Sequence, residues 1–97
     1  MLKNRLTVRI TAGADTYTLT IRPKGWKPSG GAYMLHWVLI RSGHGQLSEG
    51  MRATHQYHCW PAFAFVLLAE QIDAIPAAHR TEILTQCVRR TYKSLID

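Results

Sequence analysis

Cysteine is scarce in this chain: Cys59 and Cys87 are the only two in 97 residues. That is too few for the disulfide framework that holds small secreted domains together. Both sit among apolar neighbours, where buried thiols are expected. Acidic residues are also few, six against twelve Lys and Arg. Asp15, Glu49, Glu70, Asp73, Glu82 and Asp97 are scattered along the chain, and no two form the close pair that general acid–base hydrolysis requires. Long apolar runs are missing as well. The longest, Trp60 to Ala69, spans ten residues, whereas a membrane-crossing helix needs about 20. Met1 to Arg5 carries charge but leads into no apolar stretch of the kind that marks a secretory signal. A cytosolic location is therefore expected. The glycines match neither Gly-x-Gly-x-x-Gly nor Gly-Lys-Ser/Thr, so no phosphate loop is present in the sequence. A chain of this length supports one hydrophobic core, and 1–97 is read as a single domain.

What the sequence does have is positive charge, and it is unevenly placed. Residues 1–60 hold eight Lys/Arg and two acids, a net of +6, while residues 61–97 hold four of each. Any basic binding surface belongs to the first part. There, Leu6, Val8 and Ile10 alternate with Thr7 and Arg9, which is the period of a half-buried strand. Ala12-Gly13-Ala14-Asp15 reads as a turn, and Tyr17, Leu19 and Ile21 then alternate with Thr16, Thr18, Thr20 and Arg22. The two runs predict an antiparallel hairpin whose outer face is a ladder of threonines and basic groups. Pro23 to Gly31, with two prolines and three glycines, reads as a loop. Tyr33 to Arg41 is apolar on both parities and predicts a central strand covered on both sides, with His36 inside it. A fourth strand is expected over Met51 to Cys59, with Met51, Ala53, His55, Tyr57 and Cys59 on one side. A helix over Leu47 to Cys59 is the rival, disfavoured by Gly50 and by Trp60 preceding Pro61.

Pro61 suits the first turn of a helix, and Ala62 to Ile72 is apolar almost all round, as in a buried helix that stops near Ala74. A second helix from about Ala77 is the clearest periodic signal: Ile83, Leu84, Cys87, Val88, Tyr92, Leu95 and Ile96 recur at three- and four-residue steps. Arg89, Arg90 and Lys93 near its end complement the helix dipole. The fold class expected is α+β, an antiparallel sheet of three or four strands followed by a C-terminal helical hairpin.

Candidates for chemistry are weak. His55, His58 and Cys59, with His44 or Cys87, supply zinc-type ligands, but no Cys-x-x-Cys pair accompanies them, and on a strand His55 and His58 point to opposite faces. Adjacency of His58 and Cys59 does not place the imidazole as a base for the thiol. No cofactor, metal or catalytic residue is assigned, and a non-enzymatic protein is expected. The stronger candidate is Lys24-Gly25-Trp26-Lys27: an aromatic between cations, suited to anchoring a protein interface or to stacking on an unpaired base. The expected partner-binding residues are Trp26, Lys24, Lys27, Arg22, Arg5 and Arg9.

Arg22-Pro23-Lys24-Gly25-Trp26-Lys27-Pro28 and His55-Gln56-Tyr57-His58-Cys59-Trp60-Pro61 are the distinctive strings of the chain. In length, charge and economy it resembles the small accessory proteins with which bacterial viruses redirect host nucleic-acid enzymes, most of all the anti-RecBCD proteins of lambdoid phages, with anti-CRISPR proteins as rivals. The resemblance extends over the whole chain in character, and no functional residue is carried over from it. It implies a non-enzymatic protein in the bacterial host cytoplasm that binds a nucleic-acid-processing complex such as a RecBCD-like recombination nuclease and inhibits or redirects it. Direct binding of nucleic acid is the alternative. No membrane partner is expected, and the oligomeric state is left open.

Overall fold

The computed structural model describes residues 5–27, 32–54 and 60–96. Among them, four strands form one antiparallel sheet in the order β1-β2-β3-β4. They are β1 (Leu6–Ala12), β2 (Asp15–Lys27), β3 (Ala32–Arg41) and β4 (Gly45–Thr54). Two helices follow, α1 (Trp60–Glu70) and α2 (Ala77–Ile96), joined through a 3₁₀ turn at Ile72–Ala74. This is the α+β arrangement expected. The β1–β2 turn is tight, with Ala12 paired to Asp15. Gly13 stands at the first turn position with φ 62°, where a type II′ hairpin takes glycine.

Register divides the sheet into two faces. Leu6, Val8 and Ile10 of β1 stand opposite Ile21, Leu19 and Tyr17 of β2, which in turn face Trp37, Leu39 and Arg41 of β3. α1 and α2 pack on this inner face over β1 and β2. The core joins Ile10, Tyr17, Leu19, Ile21, Leu35 and Leu39 to Leu67, Leu68, Ile75, Ile83 and Cys87. Burial pushes the Cys87 thiol up to about 11, which keeps it neutral and unreactive at neutral pH. α2 also guards the outer edge of β1: Gln86 donates to the Thr11 carbonyl and Arg90 to the Arg9 carbonyl. These bonds satisfy edge acceptors that otherwise invite pairing with another chain.

Three sequence expectations need correction. Residues 23–27 are strand rather than loop, because β2 continues past a bulge between Pro23 and Gly25. β1 begins at Leu6, opposite Ile21, so beyond Ile21 no strand among the described residues pairs with the β1-facing side of β2, and an edge position tolerates the missing N–H of Pro23. The fourth strand begins at Gly45, six residues before Met51. Gly43 and Gly45, with φ of 75° and 93°, turn the chain directly back along β3. The tail of the expected strand, with His55, Tyr57, His58 and Cys59, lies outside the described residues. Finally, among the described residues β3 is covered on one side only. The helices fill the inner face, and Met34, His36, Val38 and Ile40 fall on the other parity, with Ile40 41% exposed.

Gly50, a reason to doubt a helix, has a packing role in β4. It pairs with Trp37, and the indole lies across it: a Cβ at position 50 would stand 2.7 Å from Trp37 Cζ2. Trp37 is only 6% exposed, so the ring has little room to retreat. Gly50→Ala is therefore expected to destabilise the protein by about 1–3 kcal/mol through overpacking, read as a lower urea midpoint. An unchanged midpoint would show that the ring is not held there.

Candidate functional site: the open sheet face

The outer face of the sheet is formed by the side chains that alternate away from the helices. Thr7, Arg9 and Thr11 of β1 lie opposite Thr20, Thr18 and Thr16 of β2. Thr18, Thr20 and Arg22 lie opposite Ile40, Val38 and His36 of β3, and the last two face Glu49 and Met51 of β4. The threonine ladder expected from the sequence is present, and the Thr7 and Thr20 hydroxyls approach to 3.4 Å. β-branched threonines suit a pleated surface that is half exposed. The face is thus in two halves: threonines and arginines on β1 and β2, and a more apolar strip on β3 and β4 where Ile40 and Met51 are exposed.

The arginines differ sharply in their partners. Four on the helix side or at the ends of the sheet are engaged, whereas Arg89 of α2 is exposed and has no bonded partner among the described residues. Arg41 donates two bonds to Asp15, at 2.8 and 2.6 Å, and Arg52 of β4 is paired with Glu70 of α1. Arg80 holds the carbonyls of Ile75 and Asp73, and Arg90 lies 5.6 Å from the centre of the Phe65 ring while bonding the Arg9 carbonyl. By contrast, the side chains of Arg5, Arg9 and Arg22 have no ion-pair or hydrogen-bond partner among the described residues. All three are exposed. The acid placed on this face, Glu49, is bound to His36, Nε2 to Oε2 at 3.0 Å. The open face therefore carries an excess of uncompensated positive charge, which steers anionic partners towards it.

Between Arg5, Arg22 and His36 the face is hollowed into a concavity of about 340 Å³, whose wall is completed by Thr20, Val38 and Ile40. The structure thus brings together Arg5 and Arg22, two of the residues singled out from the sequence, with Arg9 further along β1. Lys24 is exposed beside the bulge in β2. Trp26 and Lys27 are in the last part of β2, in register with Tyr33 and Ala32 of β3, so they belong to a strand pair and not to the expected loop. Sequence reasoning missed His36, Thr20, Val38 and Ile40 as site residues. The available signal was that His36 interrupts the apolar parity of Met34, Val38 and Ile40.

A second polar cluster lies at the opposite end of the sheet and has a different character. Tyr17, fully buried, shares a 2.6 Å hydrogen bond with His79 Nδ1 of α2, and the same nitrogen is 3.8 Å from Asp15. The Arg41 hydrogen bonds hold the Asp15 carboxyl below its ordinary value, and burial raises the Tyr17 phenol. His79 also fills the space that the absent Gly13 side chain leaves, since a Cβ there would stand 3.3 Å from its Nε2. Each group has a partner inside the fold, so the cluster fastens the start of α2 to the β1–β2 hairpin and the end of β3.

Among the described residues, no group of three or more His, Cys, Asp or Glu is arranged to hold a metal ion, and no helix is long and apolar enough to cross a membrane. Comparison with known protein families, curated proteins and solved structures finds no match to the chain.

The Asp15 clamp predicts an acid limb of stability. Because its folded value is lowered, the contribution is fully present above the unfolded carboxylate value, about 3.9, and is lost as pH falls through the folded value. Asp15→Asn is expected to flatten that limb when urea midpoints are compared from neutral pH downward. A variant as acid-sensitive as the parent would contradict the assignment.

Proposed function

We propose that this protein is a non-catalytic docking module that uses the open face of its sheet to bind an acidic surface of a bacterial nucleic-acid-processing enzyme, of the RecBCD-like recombination nuclease kind, and inhibits or redirects it. The observation that supports the docking face is the grouping of arginines: Arg5, Arg9 and Arg22 share one sheet face and have no bonded partner among the described residues, while Arg41, Arg52, Arg80 and Arg90 are bonded within the fold and Arg89 stands alone on α2. A protein partner is favoured over a nucleic-acid backbone by the second half of the face. Ile40 and Met51 are exposed beside the cations, and interfaces between proteins are enriched in Arg, Met and apolar contact, whereas a phosphate backbone offers little to an apolar strip. The class of partner is supported by the chain's resemblance in size, charge and economy to phage-encoded modulators of host nucleases. Such a protein works in the host cytoplasm, by occupancy alone and without a cofactor. Lys24, Trp26 and Lys27 continue the strand that carries Arg22, at the end of β2.

Direct binding of nucleic acid is the second reading, favoured by the arginine and threonine rows of β1 and β2, since these side chains are common phosphate contacts. Each phosphate neutralised releases condensed counterions, so affinity for DNA falls steeply with salt.

The test is capture from nuclease-treated bacterial lysate with tagged wild type, an Arg5→Glu/Arg22→Glu variant and a Val88→Glu variant on the helical side. Wild type and Val88→Glu are expected to retain one complex whose degradation of linear duplex DNA is reduced or redirected by the bound protein. Arg5→Glu/Arg22→Glu is expected to lose it while its unfolding free energy in urea stays within about 0.5 kcal/mol of wild type, because neither arginine has a bonded partner among the described residues. Salt-sensitive binding of labelled DNA with no retained protein would replace this function with direct nucleic-acid binding.

A further inference from the structure

The concavity on the open face has a more specific chemistry than general positive charge. Its two sides differ. Arg5 and Arg22, both exposed and without bonded partners among the described residues, stand on one side with Thr20. Val38 and Ile40 form the other side. His36, across from Arg22 on β3, is bonded to Glu49 through Nε2, so the neighbouring carboxylate is engaged by the histidine. A guanidinium presents its donors as a planar fork that matches a carboxylate in bidentate fashion. The threonine hydroxyl adds a donor or an acceptor as needed.

We infer that this concavity is a pocket for one acidic side chain of the protein partner, a glutamate or aspartate with an apolar residue beside it in the partner's chain. The assignment rests on the open-face reading above and adds the chemistry of the ligand. The carboxylate is held by Arg5 and Arg22, and the adjoining apolar side chain lies against Val38 and Ile40. A run of phosphodiesters fits less well. It requires a row of cations along its path, and across β3 and β4 the face instead presents Ile40, Met51 and the carboxylate of Glu49. A single anion with an apolar neighbour meets both halves of the concavity, and neither half is then left uncovered.

The experiment follows the methyl resonances of Thr20, Val38 and Ile40 by NMR at physiological ionic strength. Four probes are titrated: a short capped Gly/Ser peptide with one Glu-Leu pair, the same peptide with Gln-Leu or with Glu-Ser, and a short DNA duplex. Inorganic phosphate is added as a competitor. The expected result is saturable shifts with the Glu-Leu peptide, weaker by about tenfold when the peptide loses its carboxylate or when Arg22 is replaced in Arg22→Gln. Ile40→Ser, which alters no charge, should weaken the Glu-Leu peptide while leaving the Glu-Ser peptide unchanged. No saturable shift at millimolar peptide overturns the pocket, as does indifference to Arg22→Gln or tighter binding of the duplex or of phosphate. If the peptide fails while Arg5→Glu/Arg22→Glu still loses its captured complex, the pocket falls and the docking face stands. If that double variant keeps its complex, the docking face itself falls.

Discussion

Two helices cover one face of a four-stranded sheet, and the remaining architecture follows from that constraint. Antiparallel sheets tolerate one solvated face provided its side chains alternate correctly. Here Leu, Ile, Val and Tyr of β1 and β2 turn inward to meet Leu67, Leu68, Ile83 and Cys87, and threonine and arginine turn outward. A register slip of one residue would exchange the two sets. Register is pinned by tight hairpins at Gly13 and Gly43–Gly45 and by the indole of Trp37 over Gly50. The Tyr17–His79 and Asp15–Arg41 bonds hold the helical layer and the hairpin ends together. Gln86 and Arg90 close the exposed edge of β1. The Tyr17–His79 and Arg52–Glu70 pairs, Gln86 and Arg90 thus fix the helices to one side, and Arg5, Arg9 and Arg22 on the other side have no bonded partner among the described residues.

Much of the fold was legible in the sequence because local periodicity and tertiary burial agree in it. The alternation from Leu6 to Ile10 and from Tyr17 to Ile21 gave the hairpin, and the three- and four-residue steps from Ile83 onward gave α2. The failures come from places where distant contacts decide. Pro23 and Gly25 are loop-formers by local preference, yet the strand continues through them because pairing with Leu35 and Met34 of β3 persists across a bulge. Gly50 weakens a strand by propensity, and its acceptance depends on a tryptophan thirteen residues earlier in the chain. β3 is apolar on both parities, which signals two covered faces, but only two helices exist among the described residues to cover them.

The site was legible in part. Arg5, Arg9 and Arg22 were identifiable because strict alternation put them on the outer face. Their freedom from partners was not, since Arg41 and Arg52 look the same in the sequence and are distinguished only by the nearness of Asp15 and Glu70 in space. The concavity unites residues from before β1, from β2 and from β3, and no sequence spacing encodes that meeting. Val38 and Ile40 looked like core and instead line the concavity on the open face.

The central claim is that a partner sits on the open face and not on the helical layer. Its most direct test is site-specific photo-crosslinking in bacterial cells, with a photoreactive amino acid at Thr18 on the outer face of β2 or at Thr85, exposed on α2. The account predicts a crosslinked product from Thr18 and none from Thr85. A product from Thr85 alone would contradict it and move the binding surface to the helices.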